Sequence, residues 1–165
     1  MLFRSPPTDP DKLYECLGWI DPIVHSSAMY RRKIALAVGG YPERYIYAQD
    51  FALILELAQK GKLAMIPEYL CKLRVYSSNM SHSIKYRTDV IHEGLLLIKY
   101  AGEKLDLSPK GRQMNRCSIA KYEIRWALVT CCSGDVCSGF KMILRALWQE
   151  PSILWNNNLF RPRFR

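Results

Sequence analysis

The chain has 165 residues, a formal net charge of +9, and a composition in which 49% of residues are hydrophobic. This length suits one domain or a part of a larger one, and the composition is that of a globular protein. The apolar runs fall short of the roughly 20 residues that a membrane-spanning helix needs, and the amino terminus lacks the apolar core of a signal peptide. We therefore expect a cytoplasmic protein.

The positive charge is compatible with nucleic acid, an anionic membrane surface or phosphorylated ligands as partners. Basic residues are spread along the chain and cluster at two places, residues 31–33 and 161–165. No RNA-binding, zinc-finger or helix-turn-helix signature accompanies them, so we expect no nucleic-acid partner.

The six cysteines occur without a CxxC pair, and the three histidines lie far in sequence from the cysteines at 131–137. A structural zinc site usually takes ligands in closely spaced pairs. We therefore expect no metal site and reduced, mostly buried thiols.

The amino-terminal part of the chain predicts two short helices with a strand between them. Asp9 followed by Pro10 predicts a capped helix over residues 11–17. With Asp11, the same residues also match a metal-binding DxD, but the cap is the favoured interpretation. Residues 23–31 predict a strand, and 32–38 a short helix that ends at Gly39.

The stretch from Gly39 to Gly61 has the most informative pattern. Gly39 and Gly40 permit a tight turn, and an almost wholly apolar, hence buried, helix begins near Gln49 or Asp50. A carboxylate at the first turn of a helix is stabilised by free backbone amides and by the helix dipole. Asp50 thus has two interpretations, an ordinary helix cap and a general base in a site short of water.

Two more strands are predicted after the central helix, over residues 62–67 and, from an alternating pattern, 69–76. Residues 77–83 form a polar loop. The rest of the chain is helical by pattern, with helices over 84–101, 109–132 and 135–149. Four apolar side chains of the last helix are expected to face the core: Phe140, Ile143, Leu144 and Leu147.

Several short motifs follow one another in a specific order: Ser26 to Arg32 (SSAMYRR), Gly39 to Glu43 (GGYPE), Gln49 to Leu53 (QDFAL) with Leu57, Ala58 and Gly61, then Ile66 and Pro67, and Leu73 to Tyr76 (LRVY) before Ser81. Each motif alone is weak. Their order and spacing resemble the C-terminal, acceptor-side part of an inverting GT-A glycosyltransferase of family 2.

In that family the central helix begins with an acidic pair followed by Tyr-Asp-Leu, and the second acid of the pair is the catalytic base. Asp50 matches this base. Gln49 replaces the first acid of the pair, and Ala52 replaces the later Asp. The family's Arg-x-His near the following strand corresponds to Arg74-Val75-Tyr76, in which tyrosine replaces the histidine.

The resemblance implies an α/β fold, with a partial, Rossmann-like GT-A half domain over residues 1–83 and a helical extension over 84–165. It implies inverting transfer of a sugar from a nucleotide-sugar donor to a saccharide or lipid-linked acceptor, as in polysaccharide biosynthesis. Asp50 is the implied catalytic residue. The implied substrate-binding residues are Gly39, Gly40, Tyr41, Gln49, Arg32 and Arg74.

The family binds its nucleotide and its divalent metal, Mg²⁺ or Mn²⁺, through a first half that contains a DxD motif. Nothing before Ser26 supplies these parts, so the resemblance predicts a fragment that binds donor poorly and exposes apolar area over residues 23–76. The alternative is a non-catalytic interaction module whose basic surface binds a partner or, peripherally, the anionic inner face of a membrane.

Overall fold

The structure, a computed structural model, describes residues 7–68, 70–72 and 87–155. Within these ranges the chain forms six α-helices: α1 (Pro10–Leu17), α2 (Arg32–Ala37), α3 (Gln49–Ala58), α4 (Arg87–Lys104), α5 (Pro109–Cys132) and α6 (Val136–Gln149). Short 3₁₀ turns occur at His25–Ser27 and Pro151–Trp155. The described residues contain no β-strand.

The predicted α/β, Rossmann-like fold is therefore wrong. Residues 23–31 form a 3₁₀ turn with irregular flanks, and residues 62–67 are irregular. A strand is stable only when a neighbouring strand accepts and donates its backbone hydrogen bonds, and no such neighbour lies in the described chain. The third predicted strand, 69–76, lies mostly outside the described residues, and the loop at 77–83 lies wholly outside them.

The predicted helices are confirmed, in several cases to within a residue or two of their ends. Asp9 caps α1 by accepting the backbone N–H of Lys12 at 2.9 Å, so the cap interpretation of this acid is confirmed. Ser108 caps α5 by accepting from Gly111, and Asp135 caps α6 by accepting from Ser138. These starts depend on side chains within three residues of the helix, which explains why the sequence predicts them.

The main hydrophobic core is built around α3, whose apolar residues are buried as predicted. It also contains residues of α1, α4, α5 and the α4–α5 connection, so both predicted parts of the chain contribute to one cluster. Its larger side chains are Leu17, Tyr45, Phe51, Ile54, Leu55, Leu95, Leu97, Ile98, Leu105, Leu107 and Tyr122. A second, smaller cluster joins α5, α6 and the carboxy-terminal 3₁₀ turn.

Two glycines on α4 allow α5 to approach closely. A Cβ at Gly94 would lie 2.6 Å from the Tyr122 ring, and one at Gly102 would lie 2.5 Å from Oδ1 of Asn115. Real Cβ atoms do not tolerate such distances, so any larger residue at either position would push the helices apart. The order of these contacts also shows that α4 and α5 run antiparallel.

Asn115 links three elements inside this contact. Its side-chain amide donates to the carbonyl oxygen of Gly18, at the end of α1, and to that of Ile98 on α4 at 2.8 Å. Glu15 adds a second link between α1 and α5, because its carboxylate accepts the backbone N–H of Ser108 at 2.7 Å and its hydroxyl at 3.1 Å. The first helix is thereby attached to the helical carboxy-terminal part.

Helix α6 differs in part from the sequence prediction: Ile143 and Leu147 are half-buried, and Leu147 packs against the second cluster as predicted. Phe140 and Leu144 are 58% and 52% exposed, so their predicted placement in the core is wrong. The buried residues are instead Gly139 and Ala146, and a Cβ at Gly139 would lie 2.7 Å from the Ala127 carbonyl oxygen of α5. A close approach of the two helices selects small residues for the contact and leaves larger ones outside.

The cysteines are free, as predicted, but the prediction that most are buried is wrong. Cys117 is buried, whereas Cys71, Cys132 and Cys137 are exposed. None of the described helices combines the length and the apolar character needed to cross a membrane.

Replacing Asn115 by alanine is expected to destabilise the fold. The carbonyl oxygens of Gly18 and Ile98 would lose a buried donor, at a cost of about 1–3 kcal/mol for each group left unpaired. Urea denaturation followed by circular dichroism measures the loss. Gln113→Ala, on the exposed side of the same helix, is the control; equal losses in the two variants would show that the bridge contributes nothing.

Candidate functional site

The predicted glycine turn connects α2 to the candidate site. Gly39 and Gly40 have φ values of 92° and 70°, a region that side chains with a Cβ avoid. The N–H of Gly40 donates to the carbonyl of Ala35 at 2.9 Å, which closes the end of α2. The turn thereby directs Tyr41 away from α2.

Tyr41 joins two other polar aromatic side chains at the surface. Its hydroxyl lies 2.6 Å from the hydroxyl of Tyr30 and 3.0 Å from Nε2 of His25. The His25 and Tyr41 rings meet edge to face, with centroids 5.6 Å apart. All three side chains are solvent-accessible, so this triad presents hydroxyl, imidazole and ring surfaces to a ligand.

The hydrogen bond to Tyr30, with smaller contributions from burial and from the charges of Tyr30 and Asp50, raises the pKa of Tyr41 to about 12. Tyr41 therefore stays protonated at neutral pH, and its hydroxyl serves as a hydrogen-bonding group rather than as a base.

The start of α3 is capped by an acid from another helix. The N-cap residue is Ala48, which has no capping side chain. Both carboxylate oxygens of Glu93 on α4 accept from this segment, Oε1 from the N–H of Ile46 at 2.8 Å and Oε2 from those of Tyr47 and Ala48 at 2.8 and 2.9 Å. Glu93 therefore satisfies the N–H of the N-cap residue and holds in place the two residues that lead into the helix.

Asp50 is the second residue of α3, within the turn where the sequence predicts an acid stabilised by helix amides. Its Oδ1 accepts the N–H of Phe51 at 2.9 Å, and the side chain is half-buried. In the part of the chain that the structure describes, its Oδ2 receives no hydrogen bond. The cap interpretation is thus partly correct, and one carboxylate oxygen remains available to a ligand.

The other predicted site residues have different surroundings. Gln49 is exposed, and its side-chain amide donates to the Ile46 carbonyl at 3.4 Å. Arg32 is exposed at the first residue of α2, between two further exposed cations, Arg31 and Lys33. Arg74 lies outside the described residues.

A cleft of about 370 Å³ lies on the other side of the glycine turn. Gly39 and Gly40 line it together with Arg44, Glu56 and Tyr100. The Tyr100 hydroxyl donates to Glu56 at 2.6 Å, and this hydrogen bond, followed by burial, raises the pKa of Tyr100. The cleft has the size of a small-ligand site, but Asp50 is not among its described lining residues.

The divalent metal implied by the resemblance does not fit the described residues. They contain no group of three or more His, Cys, Asp or Glu side chains arranged to hold an ion. Asp9, one of the two acids of the DxD-like sequence, is used as the cap of α1.

The sequence reasoning missed the contributions of His25, Tyr30 and Glu93. Tyr30 lies inside the SSAMYRR motif and His25 directly before it. Both residues therefore occur in or beside a motif that already pointed to a site. For Glu93 the signal was Ala48, because a buried helix that starts without a capping side chain needs an acceptor from elsewhere in the fold.

Comparison of the chain with protein-family models, with curated proteins and with solved structures finds no match. The family resemblance therefore rests on the quoted motifs alone.

Replacing Glu93 by glutamine is expected to destabilise α3. The amide retains one acceptor oxygen but brings an N–H₂ group against backbone donors, at a cost of roughly 1–3 kcal/mol. Glu103→Gln, at an exposed position of α4, is the matched control in chemical denaturation. A loss no larger than that of the control would contradict the capping role.

Replacing Tyr30 by phenylalanine is expected to lower the pKa of Tyr41 from about 12 towards the ordinary value of 10.0. Because the folded-state pKa is raised, the stability linked to Tyr41 is present below pH 10 and decreases as the pH rises towards 12. NMR titration of isotopically labelled tyrosine rings measures the pKa, with Tyr14→Phe as control. An unchanged Tyr41 titration in the Tyr30 variant would contradict the assigned cause.

Proposed function

We propose that this chain takes part in inverting glycosyl transfer, with Asp50 as the general base that activates an acceptor hydroxyl. The observation that carries the proposal is the position of Asp50: the side chain is half-buried in the first turn of α3, and its Oδ2 receives no hydrogen bond among the described residues. The motifs around Asp50, taken in their order along the chain, indicate the class of reaction.

The proposed step is a single displacement at the anomeric carbon of a nucleotide sugar. The acceptor oxygen forms a bond to that carbon while the bond to the diphosphate oxygen breaks, and the electron pair leaves with the nucleoside diphosphate. The acceptor proton passes to Asp50 Oδ2. The configuration at the anomeric carbon inverts because attack and departure occur on opposite faces.

Three features of the triad and of the residues that follow Tyr30 suit sugar transfer. Tyr41, held protonated, can accept from or donate to a sugar hydroxyl without competing for its proton. The Tyr30 and Tyr41 rings offer apolar faces of the kind that pack against a sugar. The exposed cations at residues 31–33 directly follow Tyr30 and favour the approach of a diphosphate.

In an enzyme completed by a donor-binding half, loss of the Asp50 carboxylate is expected to lower transfer by at least about a hundredfold, the usual contribution of a positioned base. The assay follows nucleoside diphosphate release and product formation from UDP-, GDP- and dTDP-sugars, with saccharide and lipid-linked acceptors and with Mg²⁺ or Mn²⁺ added. Asp50→Asn keeps the size and removes the charge. Asp89→Asn, in the exposed first turn of α4, is the matched control.

Activity in Asp50→Asn equal to that of the unchanged chain would exclude Asp50 as the base. Absence of nucleoside diphosphate release from every donor, in an enzyme completed by a donor-binding half, would overturn glycosyl transfer for this chain.

A further inference from the structure

Helix α6 presents a continuous apolar stripe to solvent. Its members are Val136, Phe140, Leu144 and Trp148, which are 61%, 58%, 52% and 88% exposed. They follow one another at intervals of four residues, so successive members turn by about 40° and the stripe covers roughly a third of the helix circumference over about 18 Å. Four neighbouring large apolar side chains on one surface helix indicate a contact surface rather than scattered exposure.

Two basic residues, Lys141 and Arg145, lie beside this stripe on the exposed surface of the helix and form its basic border. Lys141 and Arg145 are exposed, and each lies one residue beyond a stripe member, which places it about 100° further around the helix. No Asp or Glu occurs between Val136 and Gln149. The helix therefore combines an apolar surface with positive charge alone.

The acids at the two ends of α6 are engaged within the fold. Asp135 accepts the N–H of Ser138 as the helix cap, and Glu150 pairs with Arg116 at 3.2 Å. Glu150 is therefore paired with a cation, and Asp135 leaves one negative charge at the amino-terminal end of the helix, six residues before Lys141. The ten residues after Trp155 add three arginines and two phenylalanines and no acid to the same end of the chain.

A second copy of the chain is a poor occupant for this stripe. In a two-fold contact both helices would bring positive charge alone to the interface, and an antiparallel contact would place the two basic borders beside each other, where like charges repel. Stable protein interfaces also use roughly 20–30 residues a side, and the stripe offers four. An anionic lipid surface is a better occupant, because its headgroups pair with cations and its acyl region receives apolar side chains.

We propose that α6 is a membrane-docking helix that lies in the interface of an anionic bilayer, with Val136, Phe140, Leu144 and Trp148 inserted and Lys141 and Arg145 among the headgroups. Trp148, the most exposed of the four, lies at the carboxy-terminal end of the stripe. Indole side chains favour this boundary because one edge is polar. This inference does not rest on glycosyl transfer.

The test uses the full chain and vesicles of equal parts phosphatidylglycerol and phosphatidylcholine, with pure phosphatidylcholine for comparison. We expect flotation with the anionic vesicles, weaker binding to neutral ones, a decrease with added salt, and a shift of tryptophan emission to shorter wavelength. Binding of equal strength to both vesicle types, or to neither, would overturn the proposal.

Two double variants separate the apolar from the electrostatic part. Leu144→Ser with Trp148→Ser is expected to weaken vesicle binding by at least about tenfold, and Lys141→Gln with Arg145→Gln by roughly thirtyfold. Their controls are Ile66→Ser, which removes an exposed apolar residue elsewhere, and Lys60→Gln with Lys62→Gln, which removes the same charge from an exposed loop. Helical circular dichroism verifies that each variant folds.

Losses no greater than those of the controls would exclude α6 as the docking surface. Sedimentation decides the remaining alternative: a dimer that the serine double variant dissociates, with no vesicle binding by the unchanged chain, would identify the stripe as an interface between copies. Asp50→Asn is expected to bind vesicles normally, so failure of docking and failure of glycosyl transfer give different results.

Discussion

The central helix of this protein begins after Ala48, which has no capping side chain, and a carboxylate 45–47 residues further along the chain accepts the N–H groups of Ala48 and of the two residues before it. Because the N–H groups ahead of α3 are satisfied by Glu93, the start of α3 depends on α4 being in place. The same contact sets the position of Asp50, which follows two residues after Ala48. The candidate site and the core therefore depend on the same condition: the backbone N–H groups at the buried start of α3 need hydrogen-bond acceptors.

Close helix contacts determine the packing of α4, α5 and α6. Gly94 and Gly102 let α5 approach α4, and Gly139 lets α6 approach α5. Where backbones come this close, the contact is filled by small residues and large side chains are displaced. On α6 this displacement produces the apolar stripe at the surface. The proposed docking face is thus a consequence of how α6 packs, and it belongs to a different part of the chain from the Asp50 region.

The sequence reasoning succeeded where structure depends on neighbours in the chain. Asp9, Ser108 and Asp135 each cap a helix through an N–H three residues away, and the apolar pattern of α3 requires burial whatever its partner is. It failed for residues 23–31 and 62–67, because an extended pattern becomes a strand only when another strand pairs with it. That partner is a property of the fold, and local residues do not encode it.

By itself the sequence determined the helix boundaries, the glycine turn, the burial of α3 and the candidacy of Asp50, all through backbone preferences and periodicity that act over a few residues. Only the tertiary structure decided that Glu93 caps α3, that Tyr30 and His25 join Tyr41, and that α6 turns Phe140 and Leu144 outward. Each of these features depends either on contacts between residues that are distant in the chain or on how closely two helices approach. Such contacts follow from the packing of the whole chain, which local pattern does not specify.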